Sequence, residues 1–471
     1  MTEFDKRYKS GDLMIPLMIF SDTLAIALSS AIAVWIRYSY AGKFHPVIYA
    51  QLFPALIIFY VLFGMRQLYP GILVSPPDEL KRLAQTITLG FLILSAIVFL
   101  SKHSHRYSRG IFLMAWSMSL FSVPILRTVF RTAGCRLGIW GRATIIFGAG
   151  KTGTIVAKTL SKYPLLGLNP IGFLDDDEHK FGSKIHDVPV LGPLDLAPGL
   201  AAQRRASIAV LAFPSIDRTR LQSIIDKYSD QFRRVILIPD LFGITSLWVS
   251  TSDLGGILGL DIRHKLLDPR RQLAKRATEL ALIFATLPLS LFLMAIIATA
   301  VKIDSKGPVL FKHKRIGFAG KDITIWKFRT MVQDAEAKLQ ECLKDPDMFS
   351  QWAAQQKLSN DPRITRLGRL LRATSLDELP QLFNVIQGDL SLVGPRPIVW
   401  AEAEKYKEGF TLYKKVKPGL TGLWQVSGRS STSYRYRVNL DTYYVRNWSV
   451  WMDIYILAKT PLAVLSRKGA F

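Results

Sequence analysis

The chain has 471 residues, 49% hydrophobic and 21% charged, with a mean hydropathy of +0.21. That mixture argues against a purely soluble protein and implies apolar segments joined to polar domains, roughly two to four of them. The formal charge of +25 implies anionic partners, and beside membrane segments acidic lipid and phosphorylated ligands outrank nucleic acid. Two distant cysteines, Cys135 and Cys342, suggest neither a disulfide framework nor a zinc site, and suit a reducing cytoplasm.

Four apolar runs open the chain, at about 13–36, 47–65, 83–100 and 111–129. Each approaches the roughly 20 residues of a spanning helix and leaves no polar face, so four transmembrane helices are expected within 1–135. Pro16, Pro54 and Pro124 lie within or near their ends, which membrane helices tolerate. No small-residue cleavage site follows the first run, which reads as an anchor and not a signal peptide. Lys6, Arg7, Lys9, Arg66, Lys81, Arg82, Arg127, Arg131, Arg136 and Arg142 fall on one side. Arg37, Lys43, Lys102, Arg106 and Arg109 fall on the other, so the first side is cytoplasmic.

Ala143 begins a strand-like stretch that runs into Gly148-x-Gly150-x-x-Gly153 and a helical pattern. This is the dinucleotide-binding fingerprint in its proper setting. More strand-like runs lie at 171–174, 188–191, 208–212 and 235–238, and Asp175, Asp176 and Asp177 fall where a ribose-binding acid would. A Rossmann-like α/β domain is expected over 143–255. Gly148, Gly150 and Gly153 either receive a ligand or serve strand–helix packing alone.

A linker over 256–272 precedes a fifth apolar stretch, 273–302, with Pro288 in its middle. Arg270, Arg271, Lys275 and Arg276 precede it and Lys302 follows. Charge at both ends and a bending proline favour a re-entrant membrane hairpin over a kinked spanning helix. The remaining residues, 303–471, are basic and rich in motifs. The central one is Ser375-Leu-Asp-Glu378, where Asp377 and Glu378 follow Arg366, Arg369 and Arg372. Alone, this reads as a helix start capped by Ser375. Among arginines, the acids can instead attack phosphorus or hold a metal while the arginines clamp phosphate. Trp448, Trp451, Tyr455, Ile456, Leu457 and Lys459 suggest an interfacial amphipathic helix over 447–465, an ordinary core-facing helix being the alternative.

Four stretches together resemble the bacterial sugar transferases, polyprenyl-phosphate hexose-1-phosphate transferases. They are Lys327-Phe-Arg-Thr-Met331, Ser375-Leu-Asp-Glu-Leu-Pro-Gln-Leu-Phe-Asn384, Gly388-Asp-Leu-Ser-Leu-Val-Gly-Pro-Arg-Pro397 and Pro418-Gly-Leu-Thr-Gly-Leu-Trp-Gln-Val-Ser-Gly-Arg429. With four spans and a Rossmann-like domain ahead of them, the whole chain is similar to members of the WbaP-like undecaprenyl-phosphate galactose phosphotransferase type. The resemblance implies a membrane α-helical bundle, a Rossmann-like α/β domain and a mainly α-helical (α+β) catalytic domain with a re-entrant membrane helix bent at Pro288. It implies transfer of a hexose 1-phosphate from a UDP-sugar to undecaprenyl phosphate at the cytoplasmic face of a bacterial inner membrane. Asp377 would be the nucleophile, Glu378 a ligand of Mg²⁺, Arg372 a phosphate clamp, and Lys327, Arg329 and Arg396 the nucleotide and diphosphate site. A homodimer without nucleic acid is expected. Two positions depart from many members: Leu287 instead of serine before Pro288, and His313 instead of glutamine.

Two other readings compete. A nucleotide-sugar dehydratase or epimerase would need a Tyr-x-x-x-Lys pair. Tyr413 and Lys417 have that spacing but lie far beyond Gly153 and run into Pro418-Gly419. A non-catalytic membrane scaffold would have no need of Asp377, Glu378 and the arginines.

Overall fold

Proline decides where the first two apolar segments begin to coil. The computed structural model describes residues 13–41, 46–100, 106–202, 206–213, 216–238, 249–253, 258–262, 265–345, 348–350, 361–428 and 433–465. Lys6, Arg7, Lys9, Lys43, Lys102 and Arg429 lie outside the described residues. Helix α1 is Met14–Ala41, with Pro16 in its first turn, where the missing N–H has no helical partner to lose. The second run is not one regular helix. Pro54 sits in a 3-10 turn, Phe53–Ala55, and regular helix continues only as α2, Leu56–Met65. Helices α3, Pro76–Leu100, and α4, Arg109–Arg136, complete the bundle, and α4 continues through Pro124. Helices α1, α3 and α4, the segment Val47–Met65 as a whole and one later helix are long and apolar enough to cross a membrane, and the chain is a membrane protein.

The chain divides into two compact units, Met1–Ile244 and Thr245–Phe471. In the first, Phe59, Phe63, Leu83, Ile87, Phe91 and Val123 form the bundle core. Beside them lies an ion network. Arg127, 1% exposed, donates from Nε and Nη2 to the two oxygens of Asp22 at 2.7 and 2.6 Å. Arg131 donates through both Nη atoms to the two oxygens of Glu79, each at 2.6 Å, and Tyr69 donates its hydroxyl to Asp22 at 2.9 Å. Both arginines count toward the basic side of the topology, yet they are internally paired. The charge bias keeps its direction without them.

The polar part of this unit is a six-stranded sheet. Its strands are β1 (Arg142–Phe147), β2 (Leu168–Leu174), β3 (Lys184–Ile185), β4 (Val188–Gly192), β5 (Ile208–Leu211) and β6 (Arg234–Leu237). Their order is β3-β4-β2-β1-β5-β6, all parallel except the β3 edge. Ile145, Ile146 and Phe147 are wholly buried, as a central parallel strand covered on both faces requires. Helix α5, Lys151–Lys162, follows β1, and α6, Arg218–Tyr228, follows β5.

The second unit opens with an antiparallel hairpin, β7 (Val249–Asp253) and β8 (Leu258–Ile262). The stretch expected as a linker over 256–272 thus contains a strand, while 256, 257, 263 and 264 lie outside the described residues. Helix α7 then runs Pro269–Asp304, 36 residues, with Asp268 accepting from the Arg270 N–H at its start. Pro288 lies inside it. Hydroxyls flank the proline even though Leu287 stands before it: Thr286 donates to the Leu282 and Ile283 carbonyls, and Ser290 to that of Leu287.

Both ends of α7 rest on the same unit. Ile283 packs in one cluster with Val385, Val393 and Met452. Met294, Ile297 and Val301 pack in another with Phe328 and Leu371. Between them Phe284, Leu289, Leu291 and Phe292 are exposed. The first end is also locked by charge. Buried Lys275 meets Glu279 Oε1 and Asp453 Oδ2, each at 2.7 Å. Glu279 accepts from the Ser391 hydroxyl and the Leu392 N–H, and Asp453 accepts from Tyr444 and Trp448.

The rest of the unit includes β9 (Leu310–Ile316) antiparallel to β10 (Asp322–Phe328), helices α8 (Arg366–Thr374) and α9 (Gln381–Gln387), strand β11 (Ser391–Val393) parallel to β12 (Gly419–Thr421), and helices α10 (Tyr434–Asn447) and α11 (Val450–Leu465). The face expected to be interfacial is divided. Trp448 and Ile456 are core residues, the indole N–H finding Asp453 inside, whereas Leu462 and Leu465 are exposed.

The charge lock gives a stability prediction. Lys275→Met leaves Glu279 and Asp453 buried without their cation and should cost about 3–5 kcal/mol. Urea unfolding of the detergent-solubilised chain measures this; a midpoint equal to wild type would contradict it.

Candidate active site

The Lys-Phe-Arg-Thr strand and the acidic turn are joined by close backbone packing. Lys327 and Phe328 end β10, and Arg329 and Thr330 continue it. Helix α8 starts at Thr365, whose hydroxyl accepts from the Gly368 N–H at 2.9 Å. A Cβ on Gly368 would lie 2.1 Å from the Thr330 carbonyl oxygen, so only glycine lets α8 lie on this strand. One turn later on the same helical face, Arg372 donates from Nε to the Thr330 hydroxyl at 2.9 Å. Arg366 and Arg369 are exposed.

Ser375 does not cap a helix start with its side chain. It ends α8 in the left-handed conformation, φ 55°, and makes no side-chain cap bond. A non-glycine residue there costs on the order of 1–3 kcal/mol, strain of the kind that gathers at functional sites. The reversal delivers a 3-10 turn, Leu376–Glu378, against β10. Asn384 holds it there from below: its side chain accepts from the Trp326 N–H at 3.1 Å and donates to the Thr324 carbonyl at 2.8 Å.

Asp377 is 8% exposed and Glu378 half-buried. Lys327 Nζ lies 2.6 Å from Glu378 Oε1 and 3.8 Å from Asp377 Oδ2. Burial pushes the Asp377 carboxyl up to about 6, opposed by Lys327 and Arg372 and assisted by Glu378. Burial also draws the Arg372 guanidinium below its usual range. Arg329 is buried and donates from Nη2 to the Ser305 carbonyl and hydroxyl. Its Nε and Nη1 have no hydrogen-bond partner among the described residues. A buried guanidinium with spare donors suits an anion.

Arg396 lies just past β11. It stands 5.8 Å from the Trp424 ring, and Arg437 covers the same indole at 4.7 Å. Burial, then Arg396, lowers nearby Arg315. The structure thus groups Arg396 with Arg315 and Arg437. His313 stands between the groups, since 313, 315 and 327 share one face of the β9–β10 hairpin. Arg315 Nη2 is 3.4 Å from His313 Nδ1. Burial, with Arg315 and Lys327, pushes His313 down to about 4, which leaves it uncharged at neutral pH, as a glutamine would be.

Two long motifs prove to be one junction. A Cβ on Gly419 would fall 2.0 Å from the Gly394 nitrogen, and one on Gly422 2.2 Å from the Gly394 oxygen. This contact, with the β11–β12 pairing, sets the direction of Arg396. Sequence reasoning named Lys275 only as a flanking charge and passed over Glu279 and Arg437: the four-residue spacing of Lys275 and Glu279 on one helix was an available signal, whereas Asp453 and Glu402, the other partners, are remote in the chain. Asn384 stood inside a quoted motif, where its polar character was the available signal.

Gly148 and Gly150 lie in the other unit, between β1 and α5, and Gly153 in the first turn of α5. Tyr413 is buried, donates its hydroxyl to the Ile316 carbonyl and accepts from the Ile398 N–H. It is engaged as a structural residue, contrary to what a dehydratase would need. Among the described residues no group of three or more His, Cys, Asp or Glu side chains is placed to hold a metal.

Comparison with known proteins agrees with this layout. Residues 270–467 match the bacterial sugar transferase family, and residues 68–239 match a CoA-binding domain family. The chain is 35% identical over 398 residues to undecaprenyl-phosphate galactose phosphotransferase of Salmonella typhimurium, covering 83% of this chain and 82% of that one. It is 30% identical to UDP-glucose:undecaprenyl-phosphate glucose-1-phosphate transferase of Klebsiella pneumoniae, covering 100% of both. The exopolysaccharide production protein ExoY of Rhizobium meliloti is 45% identical over 202 residues, 42% of this chain and 88% of that one. With relatives of this identity matched over most of their length, and an acidic turn set between cationic side chains, the chain belongs to the bacterial sugar transferases.

Proposed function

We propose that this protein transfers a hexose 1-phosphate, galactose or glucose, from a UDP-hexose to undecaprenyl phosphate. The products are undecaprenyl-diphospho-hexose and UMP, and the reaction is the first membrane step of O-antigen, capsule or exopolysaccharide synthesis. The observation that carries this reading is the Asp377–Glu378 turn held between Lys327 and Arg372. The names of the relatives supply the substrates.

An oxygen of Asp377 attacks the sugar-bearing phosphorus, and the bond from that phosphorus to the bridging oxygen breaks. UMP leaves with the electron pair. An oxygen of undecaprenyl phosphate then attacks the same phosphorus, and the bond to Asp377 breaks, restoring the carboxylate. A pKa near 6 leaves Asp377 ionised at neutral pH yet poorly hydrated, both useful in a nucleophile. Lys327, Arg372 and the spare donors of Arg329 stabilise the charge that develops on the phosphoryl oxygens. Adjacent carboxylates with substrate phosphates form the oxygen donor set that Mg²⁺ accepts. Mg²⁺ held by Glu378 would neutralise diphosphate charge when bound. Arg396 over Trp424 offers a cation and an aromatic face to the nucleotide.

Helix α7 is read as re-entrant, entering the plasma membrane from the cytoplasm and returning to it. The support is that one unit holds both its ends while its middle is apolar and exposed. A spanning helix would separate those ends by about 30 Å of hydrocarbon, which one polar body cannot bridge. A catalytic unit on the cytoplasmic face meets the nucleotide sugar and the lipid phosphate together.

Asp377→Asn should abolish UMP release from UDP-galactose or UDP-glucose with undecaprenyl phosphate and Mg²⁺; undiminished turnover removes Asp377 from the nucleophile role. In the same assay Glu378→Gln should shift the Mg²⁺ titration to higher concentration, and an overlaid curve would dismiss it as a ligand. Single cysteines placed at Gln272 and Lys306 should both react with an impermeant maleimide only after the cytoplasmic side is opened. Labelling of one from the outside would make α7 a spanning helix.

A further inference from the structure

The helical bundle of the first unit is not filled by its own side chains. Ala27 and Ser30 on α1 and Ala115 on α4 are too small to meet across it. Leu52 and Phe53 close the gap only from the irregular stretch at Pro54, where the second apolar run is not regular helix. A cavity of about 430 Å³ remains. Phe59, Phe91, Leu94 and Phe112 form its buried floor, while Trp35, Tyr38 and Phe53 are exposed along its side.

Water does not suit this space. Only Ser30, Trp35, Tyr38 and Tyr49 bring a polar atom to the lining, and Tyr49 already accepts from the Ser108 N–H at 2.9 Å. A buried water needs about two to four polar partners. Left empty, the lining forfeits its dispersion contacts on one side. An apolar cavity of about 150 Å³ stays dry and admits one benzene, six carbons. On that scale this cavity holds roughly 17 carbons, the length of one fatty acyl chain.

One end of the cavity is positive. Ile111 and Phe112, in the first turn of α4, line it there. That turn has no acidic residue and Ser108 makes no side-chain cap bond, so the positive end of a 28-residue helix stands unneutralised. Arg109 begins the helix and is exposed. Arg37, next to Tyr38, lies within electrostatic reach of Tyr49. Tyr49 packs edge-on against Tyr107 at 5.6 Å, an aromatic pair of the kind that marks a membrane–water boundary. Two guanidiniums and a helix start beside an apolar slot match an anionic headgroup carried on an acyl chain. The charge bias reads this end as the outer one, whereas the transferase reading takes its lipid phosphate at the cytoplasmic face. The occupant is therefore a membrane phospholipid and not the lipid substrate.

We propose that the bundle binds one anionic phospholipid, with an acyl chain in this cavity and the phosphate against Arg37 and Arg109. The test is native mass spectrometry of the full-length chain in detergent, stripped of lipid and titrated with phosphatidylglycerol or phosphatidylethanolamine. Phosphatidylglycerol should saturate at one molecule per chain and be held about fivefold or more tighter than phosphatidylethanolamine. Replacing both arginines, Arg37→Gln with Arg109→Gln, should erase that preference. Ala27→Leu, which fills the cavity, should weaken phosphatidylglycerol by about tenfold or more while the lipid-free protein melts no lower than wild type. Ser30→Leu, on the same wall, should do the same and serves if Ala27→Leu does not fold. No bound phosphatidylglycerol, equal affinity for phosphatidylethanolamine, undiminished affinity in the filled variants, or displacement of phosphatidylglycerol by undecaprenyl phosphate would overturn the proposal. Transfer by the Asp377 centre is assayed separately, so failure of one reading leaves the other standing.

Discussion

A lysine buried between two carboxylates decides how the apolar helix of the second unit meets its polar body. Lys275 lies one turn before Glu279 on α7, and Asp453 comes from α11, 178 residues away. Three charges taken from water are tolerated only when each finds partners of good geometry. Here Ser391, Leu392, Tyr444 and Trp448 satisfy the remaining oxygens. The network joins α7 to the strand leading into Gly394-Pro-Arg-Pro397 and to the C-terminal helices. The hydrophobic segment and the polar body are therefore tied together by buried charge at this point.

Close backbone approach does the finer aiming. Gly368 lets α8 lie on the Lys-Phe-Arg-Thr extension, and the contact sets the distance between Thr330, Arg372 and the turn that follows. Gly394, Gly419 and Gly422 do the same for Arg396. The left-handed Ser375 stores strain at the point where the acids are presented. A carboxylate placed by backbone packing and by Asn384 is preorganised, as the proposed charge-based phosphoryl transfer would require.

Much of this was readable in the chain. The apolar runs, the strand–glycine–helix order around Gly148, and the motifs around Lys327 and Asp377 are local patterns, and local patterns survive in one dimension. Boundaries were less legible. Pro54 interrupted a run that hydropathy alone made continuous, and a strand lay within the expected linker, because a short glycine-containing strand has little periodicity to show. Trp448 was read as interfacial from its type, but an aspartate five residues on gave its N–H a buried partner. Arg127 and Arg131 looked like surface charge because Asp22 and Glu79, their partners, are remote in sequence.

What the sequence by itself determined is the inventory and its order: which segments are too apolar for water, where a parallel sheet begins, and which acids stand near which arginines. Hydrophobicity and turn chemistry act between neighbours, so their marks are local. Only the tertiary structure decided which charges are paired, that Arg396 and Arg437 share one indole, and that both ends of α7 rest on one body. Pairing and burial are properties of residues brought together from far along the chain, and no spacing in the sequence records them.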